Sequence, residues 1–257
     1  MIDVHCHLEQ KDYDKDRDET IEKCKKELKA VITSCAHPRD FDLTMQLTEK
    51  YKNFVFATCG IHPEYIKEVS EKEIDETIER IKQNKDKIVA IGETGLDFFW
   101  VKEPEWQQKQ KDLFIQLIEL SKELRKPLII HSRDSYEETI KILEQKDAKE
   151  VDMHMFGNHH LAKRVVDNGW FISINTIILR SKSHKKIARD CPLERLMLET
   201  DAPWLSPKKL LEGVDERNYP TSIKLVAEKI AEIKKIDFEK VWNKCGENAI
   251  KFFKLTI

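Results

Sequence analysis

The chain opens with Met1-Ile2-Asp3-Val4-His5-Cys6-His7, a short apolar strand that runs into two histidines. Alternate side chains of a strand share one face, so we expect His5 and His7 to project together while Cys6 points away. Neutral imidazole is a common ligand of zinc, nickel, copper and iron. The stretch therefore predicts the first strand of the fold and part of a metal site, although two surface histidines would look the same in isolation.

Beyond this opening, short apolar runs alternate with amphipathic helical stretches along the chain. The runs are rich in Val, Ile and Phe and are bounded by polar residues, which is typical of buried parallel strands. The predicted strands are Ile2–Val4, Ala30–Ser34, Phe54–Cys59, Ile88–Ile91, Pro127–Ile130, Glu150–Met153, Trp170–Ile174 and Leu196–Leu198. The predicted helices are Asp16–Leu28, Asp40–Lys52, Glu71–Gln83, Pro104–Leu124, Ser135–Glu144, His159–Asn168, Arg180–Arg189, Thr221–Lys234 and Asp237–Phe252.

About eight uninterrupted βα units predict an α/β protein, a (β/α)8 TIM-like barrel formed as a single domain by residues 1–257. An open doubly wound sheet is the structural alternative. The barrel is favoured because functional side chains of barrels gather at the C-terminal ends of the strands. Nearly every predicted strand here ends in a residue of the kind that binds metals or phosphates.

Composition restricts the possible partners. The formal net charge is −2, which disfavours a protein that binds long duplex DNA through a broad basic face, but not an enzyme that takes an end. No apolar run approaches the ~20 residues of a membrane helix, and no secretory signal is visible, so we expect no membrane association. The six scattered cysteines form no C-x-x-C pair and indicate a reducing cytoplasm. Nothing in the sequence indicates an obligate protein partner.

Residues of the type that bind metals stand at the ends of five predicted strands and would meet at the mouth of a closed barrel. The candidate metal ligands are His5, His7, Glu93, His131, His154 and Asp201. Each alone has a structural explanation, such as a salt bridge or a helix cap. Their common position relative to the strands indicates a shared site.

Two divalent ions ~3.5–4 Å apart can clamp the attacking and leaving oxygens of a hydrolytic displacement. Glu93 is the candidate bridge between two such ions. His5 and His7 would complete one ion with Asp201, and His131 and His154 the other. Asp201 can also take the proton of the attacking water, so Asp201 and Glu93 are the catalytic candidates. The ligand set suits Zn²⁺, Mn²⁺, Co²⁺ or Ni²⁺, with Mg²⁺ as an activator.

Three further residues have two interpretations each. The guanidinium of Arg133 can donate two hydrogen bonds to phosphate oxygens, or Arg133 can form a surface ion pair with Asp134. His62 can contact the phosphate or the leaving oxygen, or serve as a structural histidine before Pro63. Glu199 can support the ligands from behind or hold a further ion.

The motifs together resemble those of the TatD family of metal-dependent deoxyribonucleases, in the amidohydrolase superfamily. The matching stretches are Asp3-Val4-His5-Cys6-His7, Gly60-Ile61-His62-Pro63, Gly92-Glu93-Thr94-Gly95-Leu96-Asp97, His131-Ser132-Arg133, Glu199-Thr200-Asp201-Ala202-Pro203 and Arg217-Asn218-Tyr219-Pro220. The resemblance implies a TIM-like barrel that hydrolyses phosphodiester bonds of DNA, acting as a 3′ exonuclease or on ends, with single-stranded DNA or 3′ ends as the partner. It also implies the same six metal ligands.

The chain departs from that family at two loops. After the sixth predicted strand it has His154-Met155-Phe156-Gly157-Asn158, with glycine one place early, and Ser173-Ile174-Asn175-Thr176 lacks the usual glycine. Both differences flank the predicted mouth and bear on the choice of substrate.

Other functions remain open at this level. A small-molecule amidohydrolase, such as a lactonase or cyclic-amide hydrolase, is disfavoured because many of these bridge their metals with a carboxylated lysine. The chain has Glu93 at that position and no lysine between Lys87 and Lys102. An RNA-directed or tRNA-directed hydrolase is a further alternative, and a metal-free binding barrel is the least favoured because no ligand is missing.

Overall fold

The computed structural model describes residues 1–257 and contains one parallel sheet of eight strands that pair in chain order. The strands are β1 (Ile2–Cys6), β2 (Ala30–Cys35), β3 (Val55–Cys59), β4 (Ala90–Asp97), β5 (Leu128–Arg133), β6 (Val151–Met153), β7 (Phe171–Ile174) and β8 (Leu196–Leu198). The helices are α1 (Arg17–Cys24), α2 (Phe41–Lys50), α3 (Glu71–Gln83), α4 (Pro104–Leu124), α5 (Tyr136–Gln145), α6 (His159–Asp167), α7 (Lys182–Asp190), α8 (Pro207–Glu212), α9 (Ile223–Lys234) and α10 (Phe238–Phe253).

The sheet closes on itself between β1 and the residues that follow β8. Asp201 donates its backbone N–H to the carbonyl of His5 at 2.9 Å, and His7 donates to the carbonyl of Ala202 at 2.7 Å. These bonds join the two edges of the sheet, so the open doubly wound alternative is wrong. The predicted (β/α)8 TIM-like barrel, a single domain, is confirmed.

The barrel interior is apolar at its N-terminal end. A cluster of 11 buried residues combines strand positions such as Ile2, Ile32 and Ile129 with Phe252 and Phe253. No helix other than α10 contributes to this cluster, so α10 covers the end of the barrel at which the strands begin. A larger cluster of 60 buried residues packs the helices against the outside of the sheet. None of the helices is both long enough and apolar enough to cross a membrane.

Three strands extend by two or more residues beyond the ends that their apolar runs predict. β1 continues to Cys6, β4 to Asp97 and β5 to Arg133. Glu93 and His131 therefore lie inside strands, whereas the sequence placed them just after strand ends. The extension occurs because backbone pairing continues after the apolar side chains stop. Helix α8 was not predicted, since its six residues are too few to show a periodic pattern.

A bulge in β4 sets the position of Glu93. Ile91 pairs with Leu128 and Thr94 with Ile130, so three residue steps on β4 match two steps on β5. The extra residue bends the strand locally and changes the direction of the side chains near it. The bulge contains Gly92 and Glu93, and it lies at the point where the barrel core gives way to the polar mouth.

Gly95 allows β4 to approach β5 closely just beyond the bulge. Its φ is +143°, which L side chains rarely adopt, and a Cβ there would lie 2.0 Å from the carbonyl oxygen of His131. Any larger residue at this position must displace the backbone that carries His131. Gly95 thus fixes the distance between two strands that both contribute to the mouth.

We predict that Gly95→Ala lowers the free energy of unfolding by more than about 2 kcal/mol, because the methyl group adds a backbone clash to an unfavourable φ. Gly213→Ala is the matched control, since Gly213 also has a positive φ of +74° but has nothing within 4 Å of the added Cβ. Urea unfolding of both variants measures the difference. Equal losses in the two variants would contradict the close-approach argument.

Candidate metal centre

The C-terminal ends of the strands surround a cavity of about 420 Å³. Seven of the eight predicted site residues line it, and the eighth, His5, lies just beneath with 1% of its surface exposed. The seven are His7, His62, Glu93, His131, Arg133, His154 and Asp201. The structure thus brings together every residue that the sequence assigned to the site.

β1 and the residue that follows it supply two imidazoles, those of His5 and His7, whose ring nitrogens lie close together. The Nε2 atoms of His5 and His7 are 3.1 Å apart, with the rings at 74° to each other. A bulge in β1 contributes to this geometry, because three residue steps from Asp3 to Cys6 match two steps on β2. Asp201 reaches the same point from the segment after β8, with Oδ1 3.4 Å from Nε2 of His7 and 4.0 Å from Nε2 of His5.

Glu93 lies at the centre of the histidines, with its two carboxylate oxygens facing different rings. Oε2 is 3.2 Å from Nε2 of His5. Oε1 is 3.0 Å from Nδ1 of His131 and 3.4 Å from Nε2 of His62. Nε2 of His154 is 3.7 Å from the same oxygen. One carboxylate therefore connects the histidines of β1 with those of the other strands, as a bridging ligand would have to do.

His154 lies nearer to His5 than to His131. The rings of His5 and His154 stack with centroids 3.8 Å apart, whereas the centroids of His131 and His154 are 6.5 Å apart. The sequence-based hypothesis grouped His131 with His154 on one ion. In the structure these two rings approach each other only through Oε1 of Glu93.

Buried carboxylates accept a hydrogen bond from one ring nitrogen of His131 and from one ring nitrogen of His154. Nε2 of His131 donates to Oδ2 of Asp97 at 2.9 Å, which leaves Nδ1 facing Glu93. Nδ1 of His154 donates to Oε2 of Glu199 at 2.8 Å, which leaves Nε2 facing the cavity. Carboxylate partners of this kind fix both the tautomer and the ring direction of metal-binding histidines.

The ring of His7 is also held by buried oxygen atoms on the side of Nδ1. Its Nδ1 lies 3.0 Å from the carbonyl oxygen of Ser34 and 3.2 Å from Oε1 of Glu9. A carbonyl can only accept, so Nδ1 carries a proton, and Nε2 is the ring nitrogen that faces Asp201. Glu9 is itself fixed by a 2.6 Å bond from Oγ1 of Thr33.

This donor set fits divalent metal ions. In His7, His131 and His154 one ring nitrogen donates to an oxygen, and the other is left to bind an ion. Ligand-type atoms of His5, His7 and Glu93 lie within 4.8 Å of one another, as do those of His62, Glu93 and His131. Imidazole and carboxylate together suit zinc, manganese, cobalt or nickel better than magnesium.

The carboxylates of the site attract positive charge strongly. Burial opposes ionisation of Glu93, but the neighbouring His62, His154 and His5 outweigh it and hold the pKa of this carboxyl well below its usual range. Burial also disfavours a charged His131, yet Asp97 and Glu93 raise its pKa to about 9. The negative charge that raises the pKa of a buried histidine in this way also attracts metal cations.

Burial and neighbouring charges also have opposite effects on the pKa values of His154 and Asp201. Burial opposes a charged His154, but Glu199 and Glu93 raise its pKa to about 10. Burial likewise opposes ionisation of Asp201, and His7 and His154 nevertheless lower the pKa of that carboxyl.

His62 and Arg133 stand at the rim. Nδ1 of His62 accepts the backbone N–H of Glu64 at 3.2 Å, so the opposite nitrogen carries the proton and points to Glu93. His62 is thus both a local cap and part of the site. Arg133 makes no ion pair with Asp134; its guanidinium lies 3.8 Å from the ring centroid of Phe99 and faces the cavity.

Sequence reasoning missed two acidic residues and left a third undecided. Asp97 and Glu9 orient ligand-type histidines, and neither was assigned a role. A spacing signal was available for Glu9, since it follows His7 by the same two-residue step that separates His5 from His7. Glu199 accepts bonds from His154, from the hydroxyl of Ser173 at 2.6 Å and from a backbone N–H. These bonds occupy both of its oxygens, so its geometry is that of a support.

A closed eight-stranded barrel with imidazoles and carboxylates clustered at its mouth is typical of one class of protein, the metal-dependent hydrolases. Residues 2–254 match the family described as TatD related DNase. The deoxyribonuclease TATDN3 of Homo sapiens is 36% identical over 98% of this chain and 94% of its own length. An uncharacterised metal-dependent hydrolase of Methanocaldococcus jannaschii is 37% identical over 98% of this chain and 96% of its own length. The fold is also that of the TatD homologue YJJV of Escherichia coli, with a TM-score of 0.88 at 24% identity over 100% of this chain and 98% of that one.

The chain belongs to the TatD family. It is accordingly a metal-dependent hydrolase that acts on ester bonds, and the family resemblance read from the motifs is confirmed.

We predict that metal binding releases protons at pH 7 and tightens as the pH rises. His131 and His154, with pKa values of about 9 and about 10, are protonated in the metal-free protein below those values, and an ion needs their lone pairs. The affinity is therefore lost as the pH falls and gained as it rises towards the folded-state pKa values. Calorimetric titration of the metal-free protein in two buffers of different ionisation enthalpy counts the protons. The exposed His160 provides the control variant, His160→Gln, which should behave as the wild type. Equal affinity at pH 6.5 and pH 8.5 would contradict this prediction.

Proposed function

We propose that the protein hydrolyses phosphodiester bonds in DNA with two divalent ions, acting on single strands or 3′ ends. The central position of Glu93 carries this proposal, because its two oxygens face two sets of histidines. We assign His5, His7 and Asp201 to one ion and His131 and His154 to the other, with Glu93 shared. Ions bound there would polarise the scissile phosphate and lower the pKa of water towards ~7.

The chain's own residues have separate tasks in this proposal. Asp201 takes the proton of the attacking water, since its carboxylate lies at the cavity with 14% of its side chain exposed. Asp97, Glu9 and Glu199 hold the rings in position. Their hydrogen bonds prevent the imidazoles from turning when the ions bind or leave.

Two residues at the rim are assigned to the phosphate. Arg133 has no carboxylate partner, and its planar guanidinium can bind two phosphate oxygens at once. His62 directs a protonated nitrogen towards the cavity and can donate to a phosphate or to the leaving oxygen. Both side chains can bind a phosphodiester without a broad basic surface, in keeping with the net charge of −2.

DNA is preferred to a small cyclic substrate for two reasons. The family is described as TatD related DNase and the human relative is a deoxyribonuclease. No lysine lines the cavity, so a carboxylated lysine cannot bridge the ions. The six free, buried cysteines favour a reducing compartment, and we place the enzyme in the cytoplasm.

The decisive experiment uses metal-loaded protein and single-stranded DNA with a labelled end. We expect wild-type cleavage and a loss of about 10²- to 10⁴-fold in kcat for Asp201→Asn, because the proton acceptor is removed. Asp112→Asn, on the outer surface of α4, is the control and should keep full activity. The ladder of products separates exonuclease from endonuclease action, and an RNA strand of the same sequence tests the sugar preference. Equal kcat values for the wild type and Asp201→Asn would contradict the proposal.

The number of ions is tested separately. We expect the protein to hold two equivalents of divalent metal and His5→Ala to lose at least one, since His5 lies between His7 and Glu93. Elemental analysis after dialysis measures the ions, and circular dichroism checks that the barrel remains folded. His160→Ala is the control. Two full equivalents in a folded His5→Ala variant would remove the first strand from the site.

A further inference from the structure

Aromatic side chains lie unusually exposed around the mouth. Trp100, Trp204 and Phe99 expose 59%, 44% and 38% of their surfaces, and no other large aromatic residue is among the exposed apolar side chains of the protein. A tryptophan left in water at a cavity rim loses the burial that normally stabilises it. Their grouping at the mouth therefore indicates a ligand with flat apolar faces.

The two tryptophans stand on opposite sides of the cavity. Trp100 follows β4 and Trp204 follows β8, and these strands are four positions apart around a barrel of eight. Both side chains line the cavity. The ring of Trp204 lies 4.7 Å from that of His7 at a tilt of 59°, so one edge packs against the site while much of the indole stays open.

Trp204 also borders a second hollow of about 500 Å³ next to the mouth. Two cations of this hollow already have partners, since Lys209 pairs with Asp215 at 2.8 Å and Arg217 with Asp16 at 2.6 Å. These two pairs neutralise themselves and leave little attraction for a ligand. The indole of Trp204 separates the hollow from the mouth of the barrel.

Arg180 is the cation of the hollow that has no carboxylate partner, and it is exposed. Asp12 is an exposed carboxylate of the same hollow that has no cation partner. The net charge of the hollow therefore does not favour an anion by itself. What distinguishes the hollow is the combination of an open indole with one free guanidinium within a single continuous surface.

We propose that Trp204 is a stacking platform for an unpaired nucleobase and that Arg180 binds the backbone phosphate beyond it. This inference rests on the proposed function. It makes the substrate a strand that runs from the scissile bond over Trp204 into the hollow, at least one nucleotide past the mouth. Stacking on an aromatic ring tolerates any base but needs an exposed base face, so a fully paired duplex end is excluded from this subsite.

The test is an abasic scan of a single-stranded oligothymidylate. One abasic nucleotide is moved along the strand, and KM is measured for each position with wild type and with Trp204→Ala. We expect wild type to show a rise of about tenfold at one position. Trp204→Ala should show a similar rise with the intact strand and no additional rise at that position. Trp204→Phe should keep most of the wild-type response, because a phenyl ring still stacks.

Arg180 is tested by the salt dependence of KM. Removal of one phosphate contact should reduce the slope of log KM against log salt by about 0.7 in Arg180→Ala. Lys52→Ala is the matched control, since Lys52 is an exposed cation at the opposite end of the barrel, and it should leave the slope unchanged. An unchanged slope in Arg180→Ala would overturn its assignment.

Two outcomes overturn the stacking subsite. One is a wild-type scan that is flat, and the other is an abasic penalty that persists at the same position in Trp204→Ala. Methyl p-nitrophenyl phosphate, a diester without a base, separates this failure from failure of the hydrolase itself. Wild-type cleavage of both this diester and the strand with a flat scan rejects only the subsite. Cleavage of neither rejects the proposed function and the subsite together.

Discussion

The hydrogen bonds between β1 and the residues after β8 hold together both the barrel and the candidate metal centre. They bring His5 and His7 to Asp201, which lies far from them along the chain. Asp3 strengthens this closure, because its buried carboxyl accepts the backbone N–H and the hydroxyl of Thr200 at 3.0 and 2.5 Å. Burial raises the pKa of Asp3 well above its usual range, although the bonds from Thr200 oppose that effect. Without the closure, the ligand-type residues that follow the first and the last strand would not lie close together.

The site concentrates acidic groups whose mutual repulsion needs cations nearby. Glu93 and Asp201 face the cavity, and Glu9, Asp97 and Glu199 stand behind the rings. In the metal-free protein, protons on the imidazoles supply part of the missing positive charge, which explains the raised pKa values of His131 and His154. Divalent ions can supply the same charge without those protons. The arrangement therefore attracts cations, because it is electrostatically unfavourable when it has neither ions nor protons.

The sequence predicted the eight strands and the ligand-type residues because both depend on local patterns. Apolar runs mark strands, and the polar residues that follow them mark the mouth. The bulges of β1 and β4 were not predictable in this way, since one extra residue in a pairing register changes no hydrophobic period. The stacking of His154 on His5 was also missed. It depends on the tilt of strands on opposite parts of the barrel, which no spacing along the chain encodes.

The closed and open ends of the barrel determine how a substrate can approach. Helix α10 packs Phe252 and Phe253 into the end at which the strands begin, so ligands reach the acidic centre only from the other end. A polyanion that approaches this centre meets carboxylates first unless cations or flat apolar surfaces lie at the rim. Arg133, stacked on Phe99, and the open indoles provide both there. In the proposed function, binding at the rim would hold a charged strand in place, and ions bound at the centre would offset the repulsion between its phosphate and the buried carboxylates.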